Sequence, residues 1–297
     1  MNIRCMEPIA ESGVVQGAFI HQIKWDGIRG ITVLQDGGVS VFSKSGRNAT
    51  AAYPELAALN QQMDAKQAVL DGEIVVFVTG RPSFYHALKR SRVHGPGVIA
   101  QYPVRYIVFD LLELDGVDLR RRPIEQRQTL LGERFSGSAV AALADSFDDG
   151  EALFTLMKRE NMEGIVSKRR GSFYTPGKTH GDWFKTKTAK KMLCAVTGVH
   201  LNAGQVASLV LGVYRDGKLT PVGHVGTGLS QEDLKRLGEY ARKEGKTAGK
   251  DDILFEPILT CWVRFAEWTP AGTLRHPVLI GFADSPATAA TGEEFSL

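Results

Sequence analysis

The segment Lys24-Trp25-Asp26-Gly27-Ile28-Arg29 is the part of this chain best suited to covalent chemistry. A lysine amine attacks phosphorus only in its neutral form. With a reference pKa of about 10.4, only about one lysine in a thousand is neutral near pH 7.4. Neighbouring cations lower that pKa and activate the amine. Arg29 is one such cation, and Trp183-Phe184-Lys185-Thr186-Lys187 carries two more. On a strand, Lys185 and Lys187 share a face and Thr186 points away. Both lysines could then stabilise negative charge building on a phosphoryl oxygen. Arg29 could do so with a two-pronged fork. Glu73, in Leu70-Asp71-Gly72-Glu73, and Glu163, in Glu163-Gly164-Ile165-Val166-Ser167-Lys168, are hard oxygen donors suited to Mg²⁺. Nucleophile, cations and carboxylates together describe phosphoryl or nucleotidyl transfer.

These segments, with Val108-Phe109-Asp110-Leu111-Leu112 between them, resemble in order and spacing the motif set of the covalent nucleotidyltransferases: DNA ligases, RNA ligases and mRNA-capping enzymes. LVLGVY, VGHVGTG and FAEWTPAGTLRHP in the last third are most similar to the ligase domains of bacterial ligase D, a family of ATP-dependent end-joining ligases. The resemblance implies ATP as cosubstrate, AMP carried covalently on Lys24, and Mg²⁺, with Mn²⁺ as a substitute. It places Phe109 against the adenine and Glu73 at the ribose. It puts Gln22, Ile23, Lys24, Arg29, Lys44, Glu163, Lys168, Lys185 and Lys187 around the nucleotide. Gln22 stands where ligases often carry glutamate near the adenine 6-amino group, and its amide oxygen can still accept that proton. Ser43-Lys44-Ser45-Gly46 replaces S-R-N-G, so Lys44 keeps the charge and loses the fork. The family's C-terminal R-x-D-K is not legible after Leu274-Arg275-His276-Pro277. Slow self-adenylation is the expectation, with Arg275 first in line to replace that motif.

Two other readings compete. An RNA ligase or capping-type enzyme shares KxDGxR. A nucleic-acid-binding OB module on a dead catalytic domain is the non-enzymatic alternative. An NAD-dependent ligase is disfavoured: only 23 residues precede Lys24, and no four-cysteine zinc module is present.

The elements that must position these residues read as α+β, antiparallel sheets with helices packed on them. GAFIHQIKWDG, IRGITVLQDGGVSVFSKSG and AVLDGEIVVFV have the β-branched and aromatic content of strands, with a hairpin signal at Gln35-Asp36-Gly37-Gly38. RYIVFDLLELDG predicts a central strand; TAAYPELAALNQQM and EALFTLMKRENM have helical spacing. The character changes near residues 188–192. The resemblance makes residues 1–189 a nucleotidyltransferase (adenylation) domain with ATP-grasp-like sheets, followed by a β-barrel OB-fold domain at 190–297. In the second domain Asp216-Gly217 marks a hairpin, and one helix follows Ser230 as N-cap, with Asp233 at N3 and Gly245 at its end. The glycines of VGHVGTG read as barrel backbone, not a phosphate loop. Adenylation needs a closed site and sealing an open one, so the two halves should move across 188–192.

The chain has 297 residues, 43% hydrophobic and 23% charged, an ordinary globular composition that excludes a disordered or collagenous chain. No apolar run is long enough to span a membrane. The start is not a signal peptide. Cys5, Cys194 and Cys261 are far apart and read as reduced thiols of a cytoplasmic protein. Residues 191–297 carry 11 basic and 12 acidic side chains, so the overall charge of +3 leaves +4 on residues 1–190. The basic run from Lys168 to Lys191 is suited to a polyanion. Lys44, Arg169, Arg170, Lys190 and Lys191 are the expected contacts to nicked duplex DNA, gripped by a monomer alone or with a Ku-like end-joining protein.

Overall fold

The computed structural model describes residues 4–296 apart from positions 94, 178 and 270. Lys178, a member of the basic run, lies outside the described residues. The chain divides into two compact units, residues 1–187 and 188–297.

The first unit holds two sheets. One is four-stranded, in the order Glu7–Glu11, Thr179–Lys187, Gly164–Arg169, Phe19–Ile23. The other is seven-stranded, with Ile28–Gln35, Gln67–Val78 and Val104–Leu114 at its centre. Most pairings are antiparallel as expected. Two are parallel: Glu7–Glu11 against Thr179–Lys187, and Val104–Leu114 against Ala141–Leu143. The hairpin at Asp36-Gly37 has φ of 52° and 74°, the pair of positive values a two-residue primed turn requires.

Leu56, Leu59, Leu70, Ile74, Tyr106 and Val108 fill the core behind the larger sheet. Met6, Ile31, Val69, Leu112 and Trp183 form a second cluster, with side chains from both sheets. EALFTLMKR forms a helix, Gly150–Arg159, whose N-cap Asp149 accepts from the Ala152 amide. The expected helix at 50–63 is instead two 3₁₀ segments, Thr50–Ala52 and Pro54–Ala58, and a single turn, Leu59–Gln62. Pro54 explains the break. It has no amide to donate and drives the preceding Tyr53 out of the α region, to φ −133° and ψ 57°. Helices at Phe84–Arg92, Pro96–Gln101 and Ile124–Arg134 are additional to the sequence reading.

Helix Ile124–Arg134 contributes the fully buried Arg127. It donates from Nε and Nη2 to the two oxygens of Asp110, at 2.7 and 2.8 Å, and from Nη1 to the carbonyls of Arg122 and Ser172. Both partners are wholly inaccessible. The pair locks the strand next to Phe109 onto the helix and onto the loop after Arg170. Arg127→Leu would leave the Asp110 charge buried and unopposed, at a cost of about 3–5 kcal/mol. A chemical denaturation midpoint unchanged from wild type would refute that role.

The second unit is built on one antiparallel sheet, in which Lys190–Asn202 pairs with Gln205–Arg215 and with Asp252–Phe265. A register shift between Val196 and Gly198 occurs in both pairings, the kind of bulge that bends a strand. Met192, Leu209, Leu211, Val222, Cys261 and Val263 form its core. Helix Gln231–Glu244 packs on the sheet and begins with the expected capping box between Ser230 and Asp233. Of the VGHVGTG glycines only Gly223 is sheet backbone, in the strand Lys218–Val225; Gly226 and Gly228 follow its end, Gly228 in a turn at φ 95°. All three cysteines are buried and free. Among the described residues no helix is long and apolar enough to cross a membrane.

Candidate active site

Strand alternation and register place the chemistry. In the smaller sheet Gln22 is opposite Val166, and Val166 is opposite Lys185. One step along, Gly164 is opposite Lys187, and the Lys24 amide donates to the Gly164 carbonyl at 2.9 Å. Gln22, with Lys24 just past the end of its strand, and Lys185 and Lys187 on another strand therefore share a face across the Gly164–Arg169 strand. Thr186 points the other way, buried, with its hydroxyl donating to the Gly13 carbonyl. In the larger sheet Arg29 is directly opposite Glu73. A single pocket is lined by Lys24, Arg29, Glu73, Phe109, Lys185 and Lys187. Gln22, Ile23, Lys44 and Lys168 line it too.

Two motif glycines are required by close packing. A Cβ on Gly27 would sit 2.5 Å from the Ile74 carbonyl oxygen, and one on Gly164, at φ +139°, 2.1 Å from that of Thr186. Each glycine lets a neighbouring functional residue, Lys24 or Glu163, lie tight against the adjacent strand.

Glu163 bridges two cations. Its Oε2 accepts from Lys24 Nζ at 2.6 Å and its Oε1 pairs with Lys187 Nζ at 2.8 Å. Burial lowers the Lys185 pKa, and the charges of Lys24 and Lys187 lower it further. Burial pushes the Glu73 carboxyl up to about 8, against the pull of Lys24 and Arg29 and helped by repulsion from Glu163. Lys168 is 1% exposed. Its ammonium lies 4.4 Å from the centre of the Phe109 ring and 4.3 Å from that of Trp183, and donates to the Phe109 carbonyl. Burial brings its pKa down to about 7.

Arg29 is held more firmly than its motif position alone indicates. Its Nε and Nη2 donate to the two oxygens of Asp71, each at 2.6 Å, and Tyr174 Oη donates to Asp71 Oδ2 at 2.6 Å. Asp71 is fully buried. The Arg29 Cζ lies 4.7 Å over the Phe109 ring. Asp71, Tyr174 and Trp183 were given no role in the sequence reading. Asp71 sits inside the LDGE segment, and strand alternation puts it on the face of Glu73; Tyr174 carries no local signal, because its partner is 103 positions away.

Carboxylates of the protein already engage the expected DNA contacts. Lys44 pairs with Glu7 at 2.7 Å, and Arg169 with Asp182 at 2.9 Å. Arg170 lies against Asp148 and Glu125, and Lys190 pairs with Glu294 at 2.8 Å. The Lys191 ammonium lies 5.2 Å over Trp262. The basic run is also not one stripe, because alternation turns Lys168 inward while Arg169 and Arg170 stay outside. Arg275 pairs with Glu267 across the short hairpin Glu267–Trp268/Leu274–Arg275.

Among the described residues no group of three His, Cys, Asp or Glu side chains could hold a metal ion. The site's own donors, Glu73 and Glu163, suit Mg²⁺ brought in on phosphates, which typically takes one or two carboxylates from the protein.

Comparison with known proteins agrees with this architecture. Residues 9–187 match the ATP dependent DNA ligase domain and residues 202–285 the ATP dependent DNA ligase C terminal region. The multifunctional non-homologous end joining protein LigD of Mycobacterium bovis is 32% identical over 89% of this chain, which covers 36% of that protein. A DNA ligase of Natronomonas pharaonis is 32% identical over 92% of the chain and 53% of its own length. The chain thus spans about a third to a half of the curated relatives it matches. The solved structure of a mycobacterial DNA ligase D complexed with ATP and MES is 31% identical, with a TM-score of 0.57 and 98% of each chain covered. The ligase domain of Mycobacterium tuberculosis LigD gives 30% and 0.55, with 98% and 99% covered. The fold is therefore that of a nucleotidyltransferase-type ligase with an OB-fold second domain. By its sequence and its fold, the chain belongs to the ATP-dependent DNA ligase family.

Proposed function

We propose that this chain seals nicks with 5′-phosphate and 3′-hydroxyl ends in duplex DNA, by way of a lysine–AMP intermediate. The observation that carries the reading is the convergence of Lys24, Lys187 and Glu163 in the pocket that Arg29, Glu73 and Phe109 also line. Lys24 leaves Glu163, gives up a proton to solvent and attacks the α-phosphorus of ATP. A P–N bond forms, and the bond to pyrophosphate breaks. Lys185 and Lys187 face the charge that builds on the α-phosphoryl oxygens. Arg29, fixed by Asp71 and Tyr174, acts as a preorganised donor and loses little entropy on binding. Phe109 stacks on the adenine, and Glu73 meets the ribose hydroxyls. Glu163 would help hold a Mg²⁺ brought in on the nucleotide's phosphates, and the ion would supply charge neutralisation there. AMP then passes to the DNA 5′-phosphate, and the 3′-hydroxyl displaces it. The named role of the relatives in end joining supports strand-break repair as the setting, with a Ku-like protein at the DNA ends.

Nick sealing tested with ATP, NAD and GTP in parallel checks this reading, and sealing with ATP alone is expected. GMP labelling without sealing would favour a capping-type enzyme. Absence of any covalent nucleotide would favour a binding module.

For the DNA grip we propose exchange. Exposed ion pairs such as those of Arg169, Arg170 and Lys44 contribute little to stability, so phosphates can replace their carboxylates. With about five phosphates neutralised, binding to a nicked duplex should fall with a log–log salt slope of about −4 to −5. Charge reversal at Arg169 and Arg170 should weaken binding and leave AMP labelling intact. A flat salt dependence would exclude these residues as the grip.

A further inference from the structure

Cys194 and Cys261 are remote in sequence and adjacent in the fold. They are directly opposed on two long antiparallel strands of the second unit, Lys190–Asn202 and Asp252–Phe265. The register around them is unbroken from Lys190 opposite Phe265 to Val196 opposite Leu259, which pins each cysteine to its partner. Opposed residues of such a pair project from the same face of the sheet. Here it is the core face: both cysteines are 0% exposed, in one cluster with Met192, Val196 and Val263. Both are free thiols. Burial raises both thiol pKa values, that of Cys261 to about 12, and the next influence on Cys194 is the charge of Cys261 itself. Cys5, the remaining cysteine, lies in the other unit.

This placement suits a covalent bond between the two sulfurs. Opposed residues have Cα atoms about 4.5–5.5 Å apart, inside the range of about 4.4–6.8 Å that a disulfide spans. Their Cβ atoms stand about 4.5–5.5 Å apart, at or beyond the upper end of the about 3.5–4.5 Å that the bond requires. Closing the bond therefore pinches the strands together. A disulfide made under strain is more easily reduced than a relaxed one.

We propose that Cys194 and Cys261 form a modification site: a buried dithiol that a small peroxide converts into a cross-strand disulfide, stapling the second unit reversibly. The thiolate of one cysteine attacks an oxygen of hydrogen peroxide. An S–O bond forms, the O–O bond breaks, and the departing hydroxide takes a proton and leaves as water. The sulfur of the other cysteine then attacks the sulfenic sulfur, the S–S bond forms, and a second water leaves. Two thiols are oxidised and one peroxide is reduced to two waters. Burial disfavours the thiolate, so formation should take minutes to hours. The bond closes the loop 195–260, and a cross-link around a loop of that length strongly restricts the unfolded chain. The inference is independent of the nucleotidyl-transfer reading.

The test treats the folded wild-type chain with hydrogen peroxide, then unfolds it, alkylates it with N-ethylmaleimide and maps its peptides by mass. The three thiols should fall to one, Cys5, with the Cys194 and Cys261 peptides joined within a single chain. Dithiothreitol should return all three. The oxidised protein should also unfold about 5 °C or more above the same preparation kept reduced, a comparison that needs no variant. Cys261→Ala should lose both the link and the shift. Cys194 and Cys261 that stay alkylatable, or that pass to sulfinic acids without joining, would overturn the proposal. So would a link between chains, a link with no rise in unfolding temperature, or a shift that persists in Cys261→Ala.

Discussion

Lys24→Ala is expected to abolish AMP labelling and nick sealing, with a loss of more than about four orders of magnitude. The other two lysines are not placed to replace it: Lys185 and Lys187 both lie on the strand Thr179–Lys187, across Gly164–Arg169 from the strand that leads into Lys24. The variant should fold. The Lys24 side chain is 21% exposed, and its contribution to the sheet edge is a backbone bond to Gly164 that alanine also makes. Lys24→Arg is the sharper control. It keeps a cation for Glu163, but a guanidinium cannot give up its proton to become a nucleophile. Both variants should still join a nick whose 5′-phosphate already carries AMP, since that last step needs no P–N bond to the protein. Persistent labelling of Lys24→Ala would sink the assignment of the nucleophile.

Much of this site can be read from the sequence, because strand periodicity is a strong rule. A period of two places Lys185 and Lys187 together and sends Thr186 away, as the sheet does. The glycines of KxDG and EG are bulk-limited positions, so those motifs describe packing as well as chemistry. The supporting contacts are invisible in sequence, because they are made across large separations. Asp71 joins Arg29 to Tyr174, and Arg127 joins Asp110 to the loop at Ser172. The count of basic residues from 168 to 191 likewise gives charge without direction. Lys168 is a buried amine beside two aromatic rings, while Arg169, next in sequence, is a surface partner of Asp182. The 50–63 segment misleads in another way: its apolar spacing is helical, but Pro54 interrupts the helix it predicts.

Glu163→Ala is expected to lower AMP labelling and sealing by about 10²–10³-fold, in the range typical for loss of one preorganised charged group. One carboxylate spans Lys24 and Lys187, so its removal leaves two ammonium groups facing the pocket with no shared counter-charge. Repulsion between them and Lys185 then works against the spacing that a phosphoryl group has to meet. The metal side of the role predicts a second change: half-maximal labelling should need more Mg²⁺, because one of the two carboxylates offered to the ion is gone. Stability should change little, since the Glu163 side chain is partly exposed and such pairs contribute modestly. Glu163→Gln separates charge from shape. It fits the same space and can accept a hydrogen bond from one lysine, but it cannot offset the charge of two. If charge is what matters, the glutamine variant should be within about threefold of the alanine variant. Sealing at the wild-type rate by Glu163→Gln would show that Glu163 only positions the lysines. Loss of the folded circular dichroism spectrum in both variants would make Glu163 a structural residue.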